Sequence, residues 1–244
     1  MTTARSERGF TLLEVIIAVT LVSLLLGGVF GCVRLSLDTL NRVDARLIRE
    51  RRVASVEQIL RAELEGILPV IAQCTSVGDE PSERIAFFEG EPATMRFVST
   101  YSLNERARGL PRILELQVIP GENREGVRLI VNEHVYAGPG SAGAFCLSAL
   151  PGETEKGPRF PPVETGPGSF VLADRLAYCR FVYHAPPAPG ELTPQWLPRW
   201  RDPTLPDAVR VDMAPLHASA SEIDLQPVTA PLRVTRNAMT PYAQ

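Results

Sequence analysis

Lysine is almost missing from this chain. Lys156 is the only one, and arginine supplies the rest of the 25 basic residues. Against 28 acidic residues they leave a formal net charge of -3. Neither sign dominates, so there is no electrostatic case for a nucleic-acid partner. The arginine bias reads as a GC-rich coding preference. Cysteine and histidine are scarce too, at 4 and 3 residues. They form no CxxC and no Cys/His cluster of zinc-ligand spacing. His134, His184 and His217 lie far apart, and nothing singles out a serine triad. Asp79, Glu80 and Glu83 lack the DxDxDG order of a calcium loop and read as a solvated acidic turn. Gly138-Pro139-Gly140-Ser141-Ala142-Gly143 fits GxGxxG. However, Phe145, Cys146 and Pro151 follow where a phosphate-binding helix should begin, so it reads as a loop. No cofactor, metal or small-molecule substrate is expected.

Charge itself is absent from one long stretch. After Gly9-Phe10-Thr11-Leu12-Leu13-Glu14, the chain runs to Val33 without an ionisable side chain other than Cys32. That is about 19 residues, enough to cross a bilayer as a helix. It is too long for a secretory h-region, and no small-x-small cleavage site follows it. Glu14 is the oddity. A carboxylate at the centre of a membrane span costs about 2.5–3.5 kcal/mol and normally has a partner. A cut between Gly9 and Phe10 would supply one. The new α-amine of Phe10 would lie about one helical turn from Glu14, or beside the Glu14 of a neighbouring copy.

Arg8, Gly9, Phe10, Thr11, Leu12, Leu13 and Glu14 resemble the class III signal of type IV pilins and pseudopilins. The resemblance implies that a prepilin peptidase cuts after Gly9 and methylates Phe10. It implies that Glu14 then guides packing into a helical filament. It further implies a bacterial inner-membrane protein that crosses once, with a cytoplasmic N-terminus and a periplasmic body. Residues 1–9 would be the leader and 10–33 the transmembrane and filament helix. The arginines at 34, 42, 46, 49, 51 and 52 run against that orientation by a simple positive-inside count. Asp38, Asp44 and Glu50 interleave with them, as on a solvated helix face.

Beyond Val33 the pattern is amphipathic. Leu40, Val43 and Leu47 share one stripe, and Val53, Val56, Leu60, Leu64 and Ile67 another. No proline intervenes before Pro69, and Gly66 marks the stop. The spacing predicts one helix from Phe10 to Leu68, with 34–68 as its amphipathic continuation. Residues 69–236 then read as a β-rich domain and 237–244 as a tail. Strand-like runs are Ile85–Phe88, Thr94–Tyr101, Ile113–Val118, Val127–Tyr136, Ser169–Ala173, Leu176–His184, Ala208–Met213, Ile223–Val228 and Leu232–Thr235. Glu115 and Gln117 alternate with Leu114, Leu116 and Val118, which predicts a strand with one wet face. About sixteen of the 22 prolines follow residue 150, favouring loops and edge strands there. Residues 137–168 and 185–207 read as long loops. The fold class is α+β: a long N-terminal helix packed on an antiparallel sheet.

Three cysteines fall in the body, which in a pilin-like topology would lie in the oxidising periplasm. Cys146–Cys179 is the preferred bridge, because it ties a Pro/Gly-rich segment to a strand. Cys74–Cys146 and Cys74–Cys179 stay open. Trp196 and Trp200, in a Pro-rich loop, are candidate partner contacts.

Leu172 to Tyr183, then Trp196 and Trp200, then Leu205-Pro206-Asp207-Ala208-Val209-Arg210-Val211, are similar to the J-type minor pseudopilins of type II secretion. That resemblance implies a structural subunit with no catalytic residues. It would join I- and K-type minor pseudopilins and the major pseudopilin to support protein export across the outer membrane. W-type minor pilins of type IV pili or DNA-uptake machines share much of the layout. An alternative of another class is a membrane-anchored periplasmic enzyme or binding protein. It would show a polar pocket with convergent titratable groups, which a pseudopilin should lack.

Overall fold

The computed structural model describes residues 12–75, 84–103, 107–147, 159–187, 193–216 and 226–233, the side chains of 37–53 and 107–108 excepted. Helix α1 covers Leu12–Glu65. The chain divides into two units, residues 1–51 and 52–244. In the first, Leu12–Ser36 is an apolar helical stretch of 25 residues, none of it buried. Its length suffices to cross a bilayer.

The second unit begins with the last turns of α1. Val56, Leu60 and Leu64 recur every four residues and are buried, so this face of the helix is the apolar stripe seen in the sequence. The helix stops at Glu65, not at the expected Leu68. The Gly66 amide donates to the Ala62 carbonyl at 3.0 Å, and the Gly66 carbonyl accepts from the Thr100 amide at 2.9 Å. The backbone thus leaves the helix ladder and joins a sheet within one residue. Ile67–Leu68 is strand β1.

The remaining elements are β2 (Ile71–Gln73), β3 (Arg84–Ala86), β4 (Glu89–Gly90), β5 (Thr94–Ser102), β6 (Ala107–Pro120), β7 (Val127–Val135), α2 (Pro139–Gly143), β8 (Phe170–Ala185), β9 (Gln195–Leu197), β10 (Ala208–Pro215) and β11 (Val228–Pro231). The main sheet has the order β1-β5-β6-β7-β8-β10-β11, with β4 also on β5 and β9 also on β8. Its pairings are antiparallel. The chain is therefore α+β, a long apolar-headed helix followed by an antiparallel sheet domain.

The sheet has two dry faces. Met95, Phe97, Leu114, Leu116, Leu129 and Val131 pack in one core with Val56, Leu60 and Leu64 of α1. On the opposite face, Val98 and Ile113 pack with Ala72, Cys74, Ile85, Phe87, Ala142 and Cys146. The β2–β3 ribbon and α2 form this second cover. The segment expected as a loop over 137–168 therefore holds a structural piece. The close approach has a strict requirement. A Cβ on Gly143 would lie 1.8 Å from the Gln73 carbonyl oxygen, so only glycine fits where α2 meets β2.

The disulfide joins Cys74 to Cys146. Cys146 is thereby taken, and the preferred Cys146–Cys179 bridge is corrected. Cys179 is a free, buried thiol in the helix-side core. Cys146 packs in the other core, on the far face of the sheet. Burial, and after it Asp212, pushes the Cys179 thiol up to about 12, so it stays protonated and inert. A bridge over a sequence separation of 72 is worth about 4 kcal/mol on chain-entropy grounds.

Two expected strands, Ser169–Ala173 and Leu176–His184, are one. Arg175 takes a positive φ of 57°, and its amide is held by Asp174 Oδ1 at 2.8 Å. This is an irregularity inside β8 and not a turn. The first half of β8 pairs with β7 and the second with β10. The expected 185–207 loop contains β9. Of the last two expected strands, 223–225 and 234–235 lie outside the described residues, as does the tail, and β11 occupies Val228–Pro231.

Candidate functional site

Gly9 and Phe10 lie outside the described residues, as do Asp79, Glu80, Glu83 and His217. Glu14 stands in the first turn of α1. Beyond it the helix surface is apolar and open. Leu12, Leu13, Leu24, Leu25 and Phe30 are all exposed, and apart from the adjoining residues and the helix's own backbone nothing lies within 4 Å of a Cβ placed at Gly27, Gly28 or Gly31. Thr20 turns its hydroxyl inward to the Ile17 carbonyl at 2.8 Å, which removes its polarity from the surface. An apolar surface of this extent needs lipid or neighbouring helices against it.

The two tryptophans part company. Trp200 is 7% exposed, and its indole donates to the Thr204 carbonyl at 2.6 Å. Its Cβ sits so close to Gly90 that a side chain there would approach to 2.6 Å. Trp200 is thus a core residue, which corrects its reading as a partner contact. Trp196 is 37% exposed and lies between His184, ring centroids 5.0 Å apart, and the Arg210 guanidinium, 4.5 Å from its ring. Arg210 and Arg180 both converge on Asp212, at 2.8 and 3.3 Å. Of the pair, only Trp196 offers a partner an aromatic face.

A third feature was not legible as a site. Arg96 is 1% exposed and donates to three acceptors. Its Nη1 reaches Glu89 Oε2 at 2.6 Å and its Nε reaches Glu115 Oε1 at 2.7 Å. Its Nη2 reaches the Pro161 carbonyl. Burial, partly offset by Arg96, lifts Glu89 to about 7. The other oxygen of Glu115 takes Asn132 Nδ2 at 3.2 Å and meets His134 Nε2 at 3.1 Å. Asn132 also holds the Glu164 carbonyl at 2.9 Å and accepts from the Ser169 hydroxyl at 2.6 Å. These contacts fasten the 159–169 segment over β5, β6 and β7. Between that segment and Phe145 lies a cleft of about 540 Å³. The cleft is polar, lined by Arg96, Glu115, Glu133, His134 and Glu164 among others. In it the Ser169 hydroxyl donates to Asn132 Oδ1 at 2.6 Å, and His134 Nε2 lies 3.1 Å from Glu115 Oε2.

A buried carboxyl lies on the helix side. Glu63 is 2% exposed, and neither of its oxygens has a hydrogen-bond partner among the described residues. Burial pushes it up to about 8, the nearby Ser99 hydroxyl pulls it back, and Glu133 adds to the rise. Arg112 is drawn to Glu133, at 3.4 Å. Glu63 is therefore neutral in the fold and ionised in the unfolded chain over the interval from about 4.5 to about 8. Across that interval the folded state binds the extra proton, so stability falls as pH rises. The full-length protein should melt higher at mildly acidic pH than at alkaline pH, and Glu63→Gln should flatten the difference. Glu89 contributes the slope that remains. An unchanged pH profile in Glu63→Gln would show that Glu63 does not carry it.

An apolar, exposed helix headed by a carboxylate and followed by an antiparallel sheet is the layout of a single-pass, pilin-like protein. Two comparisons narrow it. Residues 4–30 match the prokaryotic N-terminal methylation motif. Type II secretion system protein J of Xanthomonas campestris pv. campestris is 30% identical over 210 residues, covering 84% of this chain and 85% of that protein. The chain belongs to the type II secretion system protein J family, the J-type minor pseudopilins.

Proposed function

We propose that this chain is a structural subunit at the tip of the pseudopilus, where it helps start assembly of the filament that supports protein export across the outer membrane. The observation that carries the reading is the methylation-motif match over 4–30, continuous with an exposed apolar helix over Leu12–Ser36. A prepilin peptidase would cut between Gly9 and Phe10 and methylate Phe10. Residues 1–9 would be the leader, 10–33 the membrane and filament helix, 34–68 its continuation with the turn into β1, and 69–236 the periplasmic body. The N-terminus would be cytoplasmic, since only cleavage on that side gives the leader its use. I- and K-type minor pseudopilins and the major pseudopilin would be its partners, with Trp196 among the contacts. In this reading the chain catalyses nothing; it supplies helix and sheet surfaces.

The test is deletion of the gene, followed by measurement of secreted protein in the medium and of surface pili on the same cells. Secretion should be lost with pili intact. Loss of pili with secretion intact would move the chain to a type IV pilus.

A further inference from the structure

The cleft over β5, β6 and β7 has features that the filament role does not use. Its floor is charged and almost dry: Arg96, Glu115 and Asn132 are 1%, 5% and 8% exposed. The single cation of that floor is already shared between Glu89 and Glu115. Glu164, on the rim, adds a further carboxylate with no hydrogen-bond partner among the described residues. The field inside is therefore negative, and in a partly enclosed site such a field is screened less than at an open surface.

Shape adds a second constraint. Phe145 and Pro161 line the cleft with apolar surface, and Phe145 is fixed beside Cys146 of the disulfide. Such walls suit the methylenes of a long basic side chain whose head is polar. The volume, about 540 Å³, exceeds one side chain and lies within the range of pockets that bury a whole ligand. At the rim, Gly166 and Gly168 have nothing within 4 Å of a Cβ position. A polypeptide backbone can cross there without meeting side chains.

We infer that this cleft is a docking site for an arginine or lysine side chain presented on an extended segment of a partner protein. The guanidinium or ammonium group meets the Glu164 carboxylate, its methylenes lie against Phe145 and Pro161, and the partner's backbone passes over the two glycines. The inference stands independently of the filament position proposed above.

The test uses the full-length protein in detergent micelles, with the His134 ring and Asn132 amide signals followed by NMR. The probe is the blocked tripeptide Gly-Arg-Gly. The Gly-Gln-Gly and Gly-Glu-Gly peptides and spermidine are the comparisons. The arginine peptide should give saturable shifts with a Kd of about 1 mM, and the glutamine peptide should bind at least about ten-fold more weakly. Glu164→Gln, which keeps the backbone carbonyl that Asn132 holds, should weaken binding about five-fold. Absence of saturable shifts, equal binding of the glutamine peptide, or an unaltered Glu164→Gln variant would each overturn the inference. Spermidine binding as tightly as the peptide would overturn the assignment to a protein segment.

Discussion

Replacing Arg96 with methionine should destabilise the sheet domain by about 3–5 kcal/mol, the cost of leaving a buried charge without its partner. Arg96 is fully enclosed and is the shared partner of Glu89 and Glu115. Without it, two carboxylates remain under the 159–169 segment, and the Pro161 carbonyl loses its donor. For a unit of this size the midpoint of thermal unfolding should fall by roughly 10 °C. The sharper test is a comparison. Arg96→Met combined with Glu89→Gln and Glu115→Gln removes all the charges at once, so no ion is left stranded. Buried ionic clusters replaced as a whole are often nearly neutral in stability. The triple variant should therefore recover at least about half of the loss, against the additivity expected for independent sites. Urea unfolding of the full-length protein in micelles measures both. A triple variant worse than the single would mean that the cluster stabilises the fold outright and is not merely self-compensating.

That cluster also shows where reading the sequence runs short. Thr94–Tyr101, Ile113–Val118 and Val127–Tyr136 read as strands, Leu114, Leu116 and Val118 alternating with Glu115 and Gln117, and the strands follow them. Alternation identifies two faces but not what covers each. Glu115 read as a solvent-facing residue between Leu114 and Leu116, yet it is 5% exposed. The cover comes from β2, β3, α2 and the 159–169 segment, and each is too short or too rich in glycine and proline to announce itself. A signal was present all the same. Phe145, Cys146 and Phe160 are apolar residues in a nominal loop, and they need a surface to pack on. Glu63 was more legible. It stands three residues after Leu60 and four before Ile67, so helical spacing puts it on the buried stripe. At Asp174-Arg175, polar residues between apolar runs look like a turn, whereas a one-residue irregularity lets a single strand serve two neighbours. The break in Ile67-Leu68-Pro69-Val70 from helix to strand was hidden for the opposite reason, since the apolar run continues through it.

Glu14→Leu should leave processing between Gly9 and Phe10 largely intact while reducing incorporation into filaments by about ten-fold, the change that 1.4 kcal/mol produces. The carboxylate stands in the first turn of a helix whose following surface is apolar and exposed. In that setting it favours a cation, and the α-amine of a cleaved Phe10 is the nearest one that the sequence can supply. The pair can close within one chain or between copies, and only the second adds a subunit to a filament. Leucine removes a polar group from the apolar stretch, so insertion becomes easier, by up to about 2.5–3.5 kcal/mol if the site lies deep. Reduced assembly therefore cannot be attributed to poorer anchoring, which separates the two roles of this residue. Glu14→Gln refines the test, because it keeps the hydrogen-bonding shape and removes the charge. If charge pairing is the cause, the glutamine variant should assemble as poorly as the leucine variant. The measurements are the amount of cleaved chain in the membrane, by its mobility, and the amount recovered with sheared filaments. Equal recovery of wild type and Glu14→Leu would remove Glu14 from the assembly mechanism, and accumulation of uncleaved chain would place it in recognition by the peptidase instead.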